Sequence, residues 1–190
     1  MTSNPFRDYG NIKNDYDRYG ITLGKLPSDI SGSALDLGVA NPFTPILSKA
    51  YPRLKITNTK EDLDFDRDAL PYSEKSFDVI FSFEVLEHLM NPLWNLLECY
   101  RVLKQNGTIY MTTPKGGFPS TLMWADTHFH EIDGKRLSVL ARSAGLSIGH
   151  MERFNKNPFY FWRMGIIRPT LRIIFGGWFY VEMKKAKIES

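Results

Sequence analysis

The chain has 190 residues, 43% hydrophobic and 24% charged, which suits one globular domain with a real core better than two. Its formal net charge of +3 falls far short of the basic density of a dedicated nucleic-acid binder, and a lone cysteine, Cys99, excludes an internal disulfide. The opening "MTSNPFRDYGNIKNDYD" holds no apolar run that could act as a signal peptide, so the cytoplasm is the expected compartment.

Residues 1–30 read as an N-terminal arm, whose Tyr9, Tyr16 and Tyr19 either form a lid or dock the arm on the core. Short apolar runs bounded by polar or turn residues predict buried parallel strands at Ala34–Leu37, Leu54–Thr59, Phe77–Phe83 and Thr108–Thr112. In "NPLWNLLECYRVL", Asn91 is a good N-cap and Pro92 suits the first helical position. Leu93, Leu96, Leu97, Tyr100 and Leu103 then make an apolar stripe, with Cys99 a small packed side chain. A second helix starts near Asp133, carries Leu137, Leu140, Ala141 and Ala144 on one face, and ends at Gly145 in a left-handed conformation.

Strands at Leu146–Phe154 and Trp178–Met183 follow, separated by an aromatic insertion over 155–177. The Phe, Tyr, Trp and Arg side chains of 158–179 read as a packed cover for the sheet edge, an apolar acceptor pocket, or a peripheral membrane contact. Arg163, Arg168 and Arg172 interrupt the segment before it reaches the roughly 18 apolar residues of a membrane span. Lys184, Lys185 and Lys187 read as a solvated tail. The alternation is α/β, a mostly parallel sheet flanked by helices, and places a ligand at the carboxyl ends of the strands where their order reverses.

The first such end is "ALDLGVANPF", Ala34 to Phe43. A dinucleotide loop needs several glycines and free N–H groups at the next helix start, whereas this loop has Gly38 alone, and Pro42 and Pro45 remove donors. It suits a phosphate-free ligand.

"ALDLG" resembles the first motif of class I S-adenosylmethionine-dependent methyltransferases, whose cofactor carries no phosphate. "DRDALPYSEKSFDVIFSFEVLEHL", Asp66 to Leu89, is similar to the family's segment from the adenine pocket into its fourth strand. "RVLKQNGTIYMTTP" looks like the helix end, glycine turn and fifth strand, and "HFHEIDGKRLSVLARSAGL" like the helix that follows. The resemblance covers roughly residues 33–154 plus a final strand. It implies one domain over 1–190 with a Rossmann-like, mostly parallel seven-stranded sheet, an antiparallel last strand and S-adenosylmethionine as cofactor.

By the same resemblance Asp36 lies near the methionine ammonium, and the backbone of Gly38, Ala40 and Asn41 lines the adenosyl side. Asp66 accepts from the adenine amino group, the Arg67 N–H faces the ring, and Ser82 belongs to the cofactor site. Two departures stand out. Asn58, Thr59 and Lys60 occupy the place of the family's ribose-binding acid, leaving Glu61 or Asp62 as substitutes. The link between the second and third strands is also too short for the usual helix, which leaves one side of the pocket open.

In "FEVLEH", spacings of three and four put Glu84, Glu87 and His88 on one face of a helical turn, and two carboxylates with an imidazole suit Mg²⁺, Mn²⁺, Zn²⁺ or Fe²⁺. The pattern is similar to the metal site of small-RNA 3′-terminal 2′-O-methyltransferases and quinone-pathway O-methyltransferases. That likeness implies His128 as a fourth ligand, with His130 as the alternative. Without metal, the glutamates hold the loop and His88, His128 or His130 serves as general base, an imidazole ordinarily titrating near about 6.5.

The implied reaction is methyl transfer to oxygen of a small-molecule, lipid or saccharide acceptor. Two other readings stay open: a non-catalytic binding protein that kept the fold, and a metal-dependent RNA 2′-O-methyltransferase, against which the modest charge argues. Neither the acceptor nor the oligomeric state is written in the sequence.

Overall fold

The computed structural model describes residues 12–116, 128–155 and 177–186. Helix α1, Ile12–Lys25, leads into strand β1, Gly32–Asp36, helix α2, Phe43–Ala50, and strand β2, Leu54–Asn58. Strand β3, Phe77–Phe83, a 3-10 turn at Leu86–His88, helix α3, Pro92–Val102, and strand β4, Leu103–Pro114, follow. Helix α4, Gly134–Ser143, strand β5, Leu146–Phe154, and strand β6, Trp178–Lys185, complete the order. The expected insertion lies outside the described residues apart from Asn155 and Gly177, and no helix among the described residues is long and apolar enough to cross a membrane.

The sheet runs β2-β1-β3-β4-β6-β5. β1 pairs in parallel with β2 and β3, β3 pairs in parallel with β4, and β6 runs antiparallel to both β4 and β5. Among the described residues there are six strands where seven were expected. The difference falls at residues 59–76, which connect β2 to β3 through turns alone.

Alternation sorts the apolar residues onto two faces, as a pleated strand requires. Leu35, Ile80, Ile109 and Met111 pack with Leu96, Cys99, Leu137 and Ala141 of α3 and α4. Ala34, Val79, Phe81 and Tyr110 pack with Tyr19, Phe43 and Leu47 of α1 and α2. Burial of Cys99, with Glu98 beside it, pushes its thiol up to about 12, so it is an inert core side chain.

Asn91 caps α3 by accepting from Trp94 N at 3.4 Å, and Asp133 caps α4 by accepting from Lys135 N and Arg136 N, both at 2.9 Å. Helix α3 ends at Val102, because Leu103 is already extended and opens β4, so it enters the core from a strand rather than from the helical stripe. Leu97 is exposed, which narrows that stripe. Gly145 takes φ +77°, and a Cβ there would also crowd the Tyr100 ring at 3.1 Å.

The lysine tail departs from expectation at Lys185, while Lys184 is exposed and Lys187 lies outside the described residues. Lys184 and Lys185 are in β6, and Lys185 is buried with its Nζ 4.3 Å from the Tyr100 ring centroid. The aromatic face offsets the loss of water there.

Candidate active site

The chain steps outward from β1 to β2, then returns to place β3 on the other side of β1, so strand order reverses between β1 and β3. A cavity of about 220 Å³ opens at the carboxyl ends of these strands, as expected for such a sheet. Asp36, Gly38, Ala40 and Asn41 line it, together with Tyr19, Phe83, Glu84 and Thr112.

Asp36 ends β1 opposite Asn58 in the β1–β2 register. Its Oδ2 accepts from Asn58 Nδ2 at 3.0 Å and from Thr44 Oγ1 at 3.2 Å. Burial nevertheless dominates these two bonds and pushes its carboxyl up to about 7. Gly38 takes φ +114°, a turn that an L side chain rarely adopts, and its N–H donates to Thr59 Oγ1 at 2.8 Å while its carbonyl accepts from Asn58 Nδ2 at 3.4 Å. The Gly38 end of the loop is thus braced by the end of β2, with its N–H engaged by Thr59. Asn41 Oδ1 accepts from Phe43 N at 2.8 Å and starts α2.

The arm docks and lines the cavity at once. Tyr19 stacks on Phe43 with ring centroids 4.7 Å apart and planes 5° from parallel. Tyr9 and the Tyr16 side chain lie outside the described residues.

Residues 59–76 are held by α3. Glu98 Oε2 accepts from Leu70 N at 2.7 Å, Arg101 donates to Leu70 O and Tyr72 O at 2.8 Å each, and the two side chains pair at 2.7 Å. The Arg101 guanidinium, with the Leu70 N–H, holds the Glu98 carboxyl below its ordinary range despite burial. Asp66, expected at the adenine edge, accepts from Asn91 N at 2.7 Å. Asp66, Asp62 and Arg67 lie outside the cavity lining, with Asp62 and Arg67 exposed. Ser82 is fully buried behind it.

A second group of polar side chains begins just past Glu84 and Val85 of the cavity wall and lies outside the lining. Glu87, His88 and His128 offer ligand atoms that all lie within 4.8 Å of one another. Glu87 is buried with Oε2 accepting from Thr113 Oγ1 at 3.2 Å, and its carbonyl accepts from Phe129 N at 2.7 Å and His130 N at 3.1 Å. Those backbone bonds bring His128 to His88, with ring centroids 5.0 Å apart. His128 Nδ1 meets Glu131 Oε1 at 3.0 Å. His130 turns toward Met90 O, 3.4 Å from its Nε2.

Glu84 does not join that group, contrary to the one-face expectation. Its backbone has φ +56°, so the helical turn begins only beyond it, and its Oε2 accepts from Trp178 Nε1 at 2.9 Å. Three of the four expected metal-binding side chains converge and the fourth faces the cavity.

A family model described as a methyltransferase domain matches residues 44–111. A probable S-adenosylmethionine-dependent methyltransferase of Mycolicibacterium smegmatis is 28% identical over 130 residues, 65% of this chain and 47% of that protein. Over these segments the chain is similar to S-adenosylmethionine-dependent methyltransferases. It spans about half the length of that curated relative.

Solved structures agree with the chain in fold. A chain from the Haloferax volcanii complex of the Trm112 methyltransferase activator with a methyltransferase superposes with a TM-score of 0.70 at 15% identity, covering 93% of this chain and 92% of that one. Phosphoethanolamine N-methyltransferase 2 of Haemonchus contortus, in complex with S-adenosylmethionine, gives 0.65 at 13% identity, covering 90% of this chain and 53% of that one.

Sequence reasoning missed four contacts of the candidate site: Asn58 on Asp36, Trp178 on Glu84, Thr113 on Glu87 and Glu131 on His128. Only the last had a local signal, a spacing of three residues. The others depend on which strands are neighbours.

Proposed function

We propose that the protein methylates an oxygen of a small-molecule, lipid or saccharide acceptor, using S-adenosylmethionine. The observation that carries this reading is a cavity at the strand-order reversal, walled by buried carboxyl groups, whose Glu84–Val85 wall is followed in the chain by Glu87 and His88 of the three-residue group. S-adenosylmethionine supplies an electrophilic methyl group on a sulfonium. Its positive charge and lack of phosphate match a pocket with Asp36 and Glu84 in its wall and a single-glycine loop whose N–H is already engaged.

In this reading Asp36 receives the ammonium, and the Gly38, Ala40 and Asn41 backbone borders the nucleoside. Asp66, with the Arg67 N–H, serves the base, and Asp62 the ribose. Ser82 supports the floor from behind. The acceptor hydroxyl lies at the cavity's other end; without a metal, an imidazole of His88, His128 or His130 takes its proton, and with an ion on His88 and His128 only His130 is left for that role.

We assign Glu87, His88 and His128 as holders of a divalent ion, since one carboxylate and two imidazoles within 4.8 Å form a plausible donor set and Glu131 orients the His128 ring as second-layer carboxylates do. Such an ion lowers the pKa of a bound hydroxyl.

Calorimetry with S-adenosylmethionine and S-adenosylhomocysteine tests the reading, followed by transfer of labelled methyl to hydroxylated acceptors. Saturable heats with both ligands are expected; no heat at millimolar concentration rejects it.

A further inference from the structure

Glu84 is the residue that the metal reading leaves over. Among the described residues only Lys75 and Glu84 take positive φ without being glycine, and of the two only Glu84 borders the cavity. A non-glycine residue holds this conformation only where its surroundings impose it. Here Glu84 N donates to Thr112 O at 2.9 Å, and Trp178 Nε1, at the start of β6, holds Oε2 at 2.9 Å. A strained backbone and a cross-sheet indole thus fix a carboxylate in the cavity wall.

The wall therefore has two acids, Asp36 from the end of β1 and Glu84 from the end of β3. One ammonium is matched by one carboxylate. The second positive centre of S-adenosylmethionine is its sulfonium, which exists before methyl transfer and is a neutral thioether afterwards. Of the two acids, Glu84 is on the segment that runs directly into Glu87 and His88, the acceptor end. We infer that Glu84 reads the charge on the cofactor sulfur, favouring the methylated form over the demethylated product and so easing product exchange. This rests on the function proposed above.

Calorimetry on the whole chain tests it. Wild type should bind S-adenosylmethionine, and sinefungin, which carries an amine near the sulfur position, roughly tenfold or more tighter than S-adenosylhomocysteine. Glu84→Gln keeps the shape and the acceptor for Trp178, and should weaken the two charged ligands roughly tenfold or more while changing the neutral one less than about threefold. Trp178→Phe should act in the same direction, more weakly. A wild-type preference near unity overturns the inference without recourse to any variant, as does an equal loss of all three ligands in Glu84→Gln. In both cases wild-type binding leaves the methyltransferase reading standing, whereas absence of binding by all three ligands removes both.

Discussion

Asn58 Nδ2 donates to Asp36 Oδ2 at 3.0 Å across the β1–β2 register, so the residue that ends β2 braces the acid that ends β1. This bond opposes the burial that raises the Asp36 pKa. An acid at position 58 would put two carboxyl groups in contact. Asn58→Asp should therefore raise the Asp36 pKa further and weaken binding of S-adenosylmethionine at pH 7 about tenfold, whereas Asn58→Ala, which removes one stabilising bond, should weaken it less. Calorimetric titration of the two variants, with thermal melts to check folding, measures the contrast; a tighter-binding Asn58→Asp protein would count against the coupling.

The raised Asp36 pKa carries a pH dependence whose sign is fixed. The ordinary value is 3.8 and the folded value about 7, so the folded protein holds a proton that the unfolded chain releases between them. The stability from that proton is complete below about pH 4 and is lost as pH rises through about 7. Urea unfolding at pH 5 and pH 8 should show wild type losing at least about 1 kcal/mol relative to Asp36→Asn. A parallel pair of curves would contradict the assignment.

A cationic ligand reverses the balance by favouring the ionised carboxyl. Binding of S-adenosylmethionine at pH 6 should then release a proton, seen as heat that varies with buffer ionisation enthalpy, and affinity should rise with pH up to about 7 and level off. Asp36→Asn should bind weakly with little pH dependence across that window. Proton release that persists in the variant would place the titrating group elsewhere.

The link at residues 59–76 gains its order from α3, not from an element of its own. Glu98 is buried and spends one oxygen on Leu70 N, while Arg101, about 28% exposed in its side chain, bridges that carboxylate to two carbonyls of the link. Removing one partner strands the other, so Arg101→Met should cost about 2 kcal/mol in chemical denaturation, less than a fully buried pair because water reaches the guanidinium. Proteolysis should then begin within 59–76. Cleavage unchanged from wild type would show that the link holds itself.

The strands, both main helices and the Asp36 loop were legible because periodicity, caps and turn chemistry are local. The antiparallel Trp178 strand was likewise legible from its place in the family order. What escaped was set by non-local pairing. Nothing near Lys185 in the sequence announces Tyr100 beneath its ammonium, and only strand adjacency brings Trp178 to Glu84. A one-face reading of "FEVLEH" failed because helical spacing presumes a helix, while φ +56° at Glu84 puts a corner there.

That corner leaves Glu87, His88 and His128 as the three side chains of the proposed ion site. Zn²⁺, Mn²⁺ and Mg²⁺ differ in their taste for imidazole, and two histidines with one carboxylate should bind Zn²⁺ or Mn²⁺ more tightly than Mg²⁺. Titration of metal-stripped protein should give about one equivalent of Zn²⁺, abolished in His128→Ala. Glu131→Gln should reduce affinity about tenfold or more through the lost brace on Nδ1. Glu84→Gln should leave metal affinity unchanged, because that carboxylate faces the cavity. If Glu84→Gln weakens metal binding as much as His128→Ala does, the site draws on all four side chains and the division between cavity acid and metal ligands collapses.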